Sequence, residues 1–425
     1  MSAGMTSTGS LQPKLLTTLK EGYSFADFRR DAIAAITVAV VALPLSMAIA
    51  VASGVAPERG LYTAIIGGAV VSALGGSRYQ IGGPAGAFIV LVAATHQAFG
   101  LEGLLLTVML SGAMLIVIGA LRVGSLIRHI PHAVTIGFTG GIAVTIFSSQ
   151  IKDLAGITLA AEPAPLLPKL LALWIAAPTA SPAALIIGGT TAGIIFLIRH
   201  FRPNWPGMLV AVILASSLTL ILGLPIETIG SRFGALPQGL PPFTAPVIDW
   251  SLIWAVMPMA LSFTLLGGVE SLLSAKVADT MTGRQHRSNM ELIAQGLANI
   301  ASALFGGISV TGTIARTATN IRAGARSPFA GLMHCGALLI FILVAGPLAS
   351  YIPLSALAGI LLVVCWNMAE KAEFVRLLSR RRDAAVLLTT FGLTLAEDLT
   401  VGIVAGCVVA AAFALLKRPV AEEGE

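Results

Sequence analysis

Apolar stretches separated by short polar breaks run almost continuously from residue 31 to residue 416. A membrane-crossing helix needs about 20 predominantly apolar residues. By that measure the pattern predicts spans at about 31–53, 58–76, 84–97, 103–121, 131–150, 165–198 (one long or one broken span), 207–223, 250–278, 290–305, 311–321, 329–350, 353–369, 383–396 and 399–416. Residues 224–248 are polar and proline-rich, which suits a connector outside the membrane. The chain thus divides into a cytoplasmic lead-in (1–30, with a surface helix around Phe25–Arg30), seven spans (31–223), the connector (224–248), seven more spans (249–416) and a cytoplasmic tail (417–425). The expected fold is all-α, integral to the membrane, with 14 transmembrane segments.

Composition supports the class: only 11% of residues are charged, against about 25% in soluble domains. Charge placement supports the count. With a cytoplasmic N-terminus, all but six of the 26 Lys and Arg residues fall on the cytoplasmic side, as the positive-inside rule demands. The exceptions are Arg59, Lys152, Lys169 and Arg232 outside, and Lys276 and Arg316 within spans. The expected location is a cell membrane with both termini cytoplasmic, and no cleavable signal peptide is evident. The net charge of +6 follows this topology and implies no nucleic-acid partner. Cys335, Cys365 and Cys407 lie in apolar runs and read as packing residues.

The two halves echo each other. Gly82-Gly83-Pro84 precedes the short third span, and Gly306-Gly307 the short tenth; Ile130-Pro131 and Ile352-Pro353 open spans 5 and 12. An odd number of spans per half makes the repeats inverted. Short, glycine-interrupted helices at matching positions of inverted repeats point to a transporter's midplane site. Span 3 begins at Pro84, with Ala85, Gly86 and Ala87 leaving its first turn bare. Span 10 is expected to start just after Gly306-Gly307, with Ser309 or Thr311 as N-cap and with Gly312 and Thr313 near its tip. Two such tips present positive dipole ends and unsatisfied N–H groups, a setting that binds a small anion.

Arg316 is costly in an apolar setting. It either supplies a positive field to the anion or pairs with a carboxylate such as Glu270. Glu270, read as the only carboxylate well inside a span, suits a proton-coupling group; Ser274, one turn on, offers a further oxygen for Na⁺. Pro44 is expected to kink span 1 and turn Ser46 and Met47 toward the cavity. His96 reads as an end-of-helix residue, and His129, His132, His200 and His286 as interfacial ones. No Walker-type loop is present, so no cofactor is expected, only a coupling ion, H⁺ or Na⁺.

Four segments together resemble the SulP family of sulfate-permease-like anion transporters: ALPLSMAIAVASGVAPERGLYTAIIGG, IGGPAGAF, VESLLSAKVADTMTG and GGISVTGTIARTATNIRAG. The resemblance implies two inverted seven-span repeats. It also implies a core (spans 1–4 and 8–11) that moves like an elevator against a gate (spans 5–7 and 12–14), and an anion held between spans 3 and 10. Many members are dimers, so a homodimer is expected. A STAS domain usually follows the last span; none follows here, and truncation is the expectation. Na⁺-coupled bicarbonate relatives tend to have Asp where Glu270 stands and Thr where Ser274 and Ile314 stand, which favours H⁺. Animal members often have Gln where Leu45 stands, so a span 1 side-chain contact is not assured.

The expected function is secondary active import of sulfate, bicarbonate or a dicarboxylate. Nucleobase permeases share the inverted plan but need a carboxylate in span 10, which is absent. An uncoupled anion channel or exchanger keeps the electropositive site without Glu270's role. A membrane enzyme is disfavoured, because no nucleophile–base pair is visible.

Overall fold

The computed structural model describes residues 11–124, 131–159, 163, 166–203, 205–237, 239–245, 249–397 and 399–415. Ile130 of the Ile-Pro step and the tail assigned at 417–425 lie outside them.

Each expected span is represented by helix. Span 1 is Phe25–Ala52 and span 2 is Pro57–Leu74; span 2 is interrupted by a π-helical stretch, Thr63–Gly67. Span 3 starts as a 3₁₀ turn at Gly86–Phe88. It continues from Ile89 to Gly100, where a φ of 65° reverses the chain into span 4, ending at Ala120. Span 5 is His132–Ala155, and span 7 is Gly207–Leu222. The sixth segment is broken: Leu166–Ala176 stops in a 3₁₀ turn, and Pro182–Phe201 restarts behind Ser181, whose side chain caps Ala184 N–H. In the second half, spans 8 to 14 are Trp250–Thr282, Ser288–Leu304, Ile314–Arg322, Phe329–Ala349, Leu354–Met368, Arg381–Ala396 and Leu399–Leu415. Among the described residues, seven helices are long and apolar enough to cross a membrane, counting spans 3 and 4 as one continuous helix and span 12 together with the Lys371–Leu378 helix that follows it. All five Trp side chains point outward, 59–80% exposed, as lipid-facing and interfacial aromatics do.

The surface helix expected around Phe25–Arg30 is instead the first turn of span 1. Ser24 and Asp27 form a capping box that starts the helix at Phe25, and nothing breaks it thereafter. The separate surface helix lies earlier, at Lys14–Glu21. It docks on the loops after spans 2 and 8: Lys14 N–H donates to Gly75 O, Arg287 donates to Gln12 O (2.8 Å) and Thr17 Oγ1 (2.9 Å), and Glu21 pairs with Arg78. Lys14 is buried there, and its amine is pushed down to about 8, first by burial and then by the Arg287 and Arg78 charges.

Two bundles result. Span 9 packs on spans 4 and 2, span 8 on the span 3–4 helix, and spans 10 and 11 on span 1; these eight spans form the core. Spans 5–7 and 12–14 pack on one another as the gate, and span 1 also touches spans 7 and 12 across the boundary. Both bundles use glycine for close backbone approach. A Cβ on Gly296 would lie 2.4 Å from Gly112 O in the core, and one on Gly359 would lie 2.5 Å from Gly188 O in the gate.

Candidate functional site: two helix tips and a buried arginine

Before spans 3 and 10 become helical, their lead-ins meet. Gly82–Gly83 (β1) pairs antiparallel with Thr311–Gly312 (β2), Gly82 opposite Gly312 and Gly83 opposite Thr311. The two tips therefore approach from opposite directions at one crossing. Side chains of neighbouring spans satisfy the extended backbone. On the span 10 side, Thr63 Oγ1 accepts from Ile308 N–H (2.7 Å). Asn299 accepts from Val310 N–H (3.0 Å) and donates to Val310 O (2.9 Å). On the span 3 side, Thr317 Oγ1 accepts from Ile81 N–H (3.2 Å), and Asn320 donates to Tyr79 O (2.9 Å).

The helix starts differ from those expected. The N-cap of span 10 is Thr313, with no side-chain cap bond. Ser309 and Thr311 cannot cap it: Ser309 donates to Asn299 Oδ1 (3.3 Å), Thr311 shares a hydrogen bond with Ser271 (2.8 Å), and both precede the helix in extended backbone. Pro84 does not open span 3. It follows β1 in extended conformation, where its missing N–H is harmless, and the first helical residue is Gly86. The first N–H groups of each helix have no acceptor within that helix. Ala87 is buried and Gly86 half-buried; Ile314 and Ala315 are exposed at the tip of span 10. Facing Gly86 across the boundary are Met368, Ile146 and Val364 of the gate.

Arg316 lies behind the crossing, 1% exposed. It donates to Ser46 Oγ (3.1 Å) and Pro84 O (3.3 Å), and its Nη1 lies where a Cβ on Gly83 would collide, at 2.1 Å. Nε and Nη1 have no hydrogen-bond partner among the described residues. No salt bridge to Glu270 forms. Ser46 and Met47 do not face the cavity. Both are 0% exposed, and the Ser46 hydroxyl donates to Ala42 O (2.6 Å) while receiving Arg316. Pro44 leaves them on the core side of the helix.

Glu270 is half-buried on span 8, and its carboxylate has no hydrogen bond or salt bridge among the described residues. Ser274 is fully buried and donates to Thr317 Oγ1 (3.2 Å), turned into the core. Glu270 is not the only carboxylate inside the bundle. Asp31 and Glu291 are more deeply buried, but each is satisfied. Asp31 accepts from Arg326 N–H, Ser327 N–H and Oγ, and Tyr23 OH; Glu291 accepts from Gly76 and Ser77 N–H and from Gln295. Sequence reasoning missed Thr63, Gln80, Asn299, Asn320 and His334. Amides inside apolar runs are a usable signal for three of them. A cavity of about 850 Å³ between core and gate runs from Lys152, Lys169 and Arg232 at one end to Ile89 and Val90, just past the span 3 tip.

The description "Sulfate permease family" belongs to the family model that matches residues 28–390. The chain is a member of the sulfate permease family. It is 41% identical over 396 residues to YvdB of Bacillus subtilis, named as a candidate sulfate transporter, covering 92% of this chain and 74% of that one. It is 30% identical over 401 residues to the bicarbonate transporter BicA of Picosynechococcus, covering 91% and 70%. Among solved structures, the transmembrane domain of a cyanobacterial BicA superposes with a TM-score of 0.79 at 27% identity, covering 92% of this chain and 98% of that one. SLC26A9 superposes at 0.85 with 19% identity, covering 96% and 67%, which shows the shared fold. As a sulfate permease family member, the chain has the two-repeat core-and-gate fold, is a multi-pass membrane protein and transports anions; it is not an enzyme.

Proposed function

We propose that the chain is a secondary active transporter of a small oxyanion (sulfate, bicarbonate or a dicarboxylate), held between the tips of spans 3 and 10. Backbone N–H groups of Ala85, Gly86 and Ala87 and those that follow Thr313 in span 10 bind it, with Thr311 and Gly312 at the crossing, and Arg316 supplies the field from behind. The observation that carries this reading is Arg316. A fully buried guanidinium with two unmatched donor atoms and no carboxylate is costly, and an anion at the adjacent tips is the counter-charge it lacks. Glu270, unpartnered and half-buried, is the H⁺-coupling group. The core slides as an elevator against the gate, in a homodimer in the cell membrane with both termini cytoplasmic.

The competing reading is Na⁺-coupled bicarbonate uptake, which draws on the similarity to BicA. It needs hydroxyl oxygens around Glu270. Ser274 donates to Thr317 and keeps its oxygen lone pairs, but Ile314 brings no oxygen, so H⁺ is the stronger choice. The test is uptake of labelled sulfate, bicarbonate and fumarate into proteoliposomes under imposed H⁺ or Na⁺ gradients. Glu270→Gln is expected to abolish pH-driven uptake while leaving anion binding intact. Unchanged pH-driven uptake removes Glu270 from the mechanism, and transport driven only by Na⁺ selects the competing reading.

A further inference from the structure

Another cavity, of about 570 Å³, is built from elements that take no part in the helix crossing. It lies among the start of span 5, the start of span 13, the end of span 14 and the Lys371–Leu378 helix that joins spans 12 and 13. These are same-side ends of their spans, cytoplasmic in the orientation proposed above. The floor is apolar: Leu377 and Val386 are buried, and Ala410 and Phe413 of span 14 complete it. The rim is cationic, with Arg376, Arg380 and Arg382.

The rim is short of negative charge. Its two carboxylates are both engaged: Glu373 meets Arg376 at 3.3 Å and His132 at 3.2 Å, and Asp383 meets Arg380 at 3.8 Å. Arg382 and its neighbour Arg381 make no ion pair or hydrogen bond among the described residues. The arginines that are paired are 65% exposed, and pairs so exposed are weak enough to be exchanged for a better partner. A guanidinium fork matches the geometry of a phosphate.

The surroundings place this rim at the level of lipid headgroups. Val375 and Leu378 of the connecting helix, Leu388 of span 13, and Val408 and Leu415 of span 14 all turn apolar side chains outward. The Lys371 ammonium lies 2.9 Å from the ring centroid of the exposed Trp366, a pairing suited to a membrane interface. A soluble anion would use the rim and leave the floor bare. A molecule with a phosphate at one end and hydrocarbon at the other uses both, and basic pockets between membrane helices bind phospholipid headgroups. We propose that this cavity binds an anionic phospholipid, its phosphodiester held by Arg376, Arg380 and Arg382 and an acyl chain lying over Ala410 and Phe413. Every residue of the site belongs to the gate, so the bound lipid ties the gate, and not the core, to the leaflet. The site does not depend on what the helix crossing binds.

The test titrates the purified full chain, in non-ionic detergent, with phosphatidylglycerol and with phosphatidylcholine of the same acyl chains, and counts retained lipid by native mass spectrometry. Phosphatidylglycerol is expected to bind about tenfold more tightly. Arg382→Gln is expected to weaken it about fivefold, and Arg376→Gln, Arg380→Gln and Arg382→Gln together about a hundredfold, with phosphatidylcholine unmoved. Arg202→Gln, on the gate just past span 6, controls for general attraction between anionic lipid and basic residues and is expected to bind like wild type. All four arginines are exposed, so the variants are expected to stay folded, which thermal melting checks. Equal binding of the two lipids, or a triple variant no weaker than Arg202→Gln, overturns the proposal. Displacement of the lipid by glycerol phosphate at equal concentration also overturns it, because the cavity would then recognise a free phosphate.

Discussion

Replacing Arg316 by Met separates a field acting on the anion from a structural tie, because the two roles predict opposite signs. In the free protein the guanidinium makes two bonds, to Ser46 Oγ and Pro84 O, each contributing about 1 kcal/mol net. Against that stand several kcal/mol of desolvation for a cation without a carboxylate. A methionine of similar length is therefore expected to leave the ligand-free protein as stable as before, or more stable by about 1–3 kcal/mol. The bound state loses its counter-charge. With charges about 6 Å apart and an effective dielectric of about 20, one negative charge gains about 3 kcal/mol from Arg316 and two gain about twice that. Arg316→Met is thus expected to weaken a monovalent anion about 100-fold and a divalent one substantially more. The assay pairs thermal melting of the detergent-purified protein with titrations of bicarbonate and sulfate. A sharp fall in the ligand-free melting temperature, with equal loss of affinity for both anions, would refute the field argument and make Arg316 a packing residue.

Two further outcomes concern the crossing and the N-terminal helix. Gly312→Ala places a Cβ 1.6 Å from Gln80 Nε2 and is expected to abolish uptake; since the obstructing atom ends a flexible side chain with no hydrogen bond among the described residues, adding Gln80→Ala should restore part of the rate, and a double variant as dead as the single one would show that the Cβ spoils the crossing itself. Lys14 has its amine pushed down from 10.5 to about 8 in the docked helix, so docking carries a cost below pH 8 that disappears as pH rises toward 10.5. Proteolysis of the Lys14–Glu21 segment is expected to slow severalfold over that window, and Lys14→Met should be slow throughout.

How much of this was legible depended on whether a residue's role was local. Gly82-Gly83 and Gly306-Gly307 break helices wherever they occur, and Arg316 is out of place in any apolar run. Their matching positions in two inverted halves led to the expectation that the two tips form one site. The helix starts were misread because Ser309 and Thr311 are good caps only if their hydroxyls are free. Asn299 and Ser271, on spans 9 and 8, claim them. Ser46 was aimed at the cavity because a proline shows that a helix is perturbed without showing which face turns inward. The broken sixth segment had both readings open, since Pro182 fits the first turn of a new helix as well as a kink. Glu270 was singled out for being a carboxylate in a span. Only packing shows that Asp31 and Glu291 are more deeply buried but satisfied, which is what sets Glu270 apart.

The distribution of polar ties bears on how the site travels. Every bond described here that fixes the crossing lies within the core: Thr63, Asn299, Thr317 and Asn320 on the lead-ins, Ser271 on β2, and Ser46 on Arg316. The gate side chains that meet the span 3 tip, Met368, Ile146 and Val364, are apolar. Hydrogen bonds hold geometry to a few tenths of an ångström, whereas apolar surfaces keep much of their energy while sliding, because dispersion and burial are not directional. A crossing tied to the core and only greased against the gate can change depth without being dismantled. The extended lead-ins would be a poor choice for a site that opened by local unfolding, since freeing them would orphan backbone groups at membrane depth. Rigid translation of the core keeps those groups paired throughout, and for that reason the elevator, rather than a local gate at the tips, is the motion this chemistry favours.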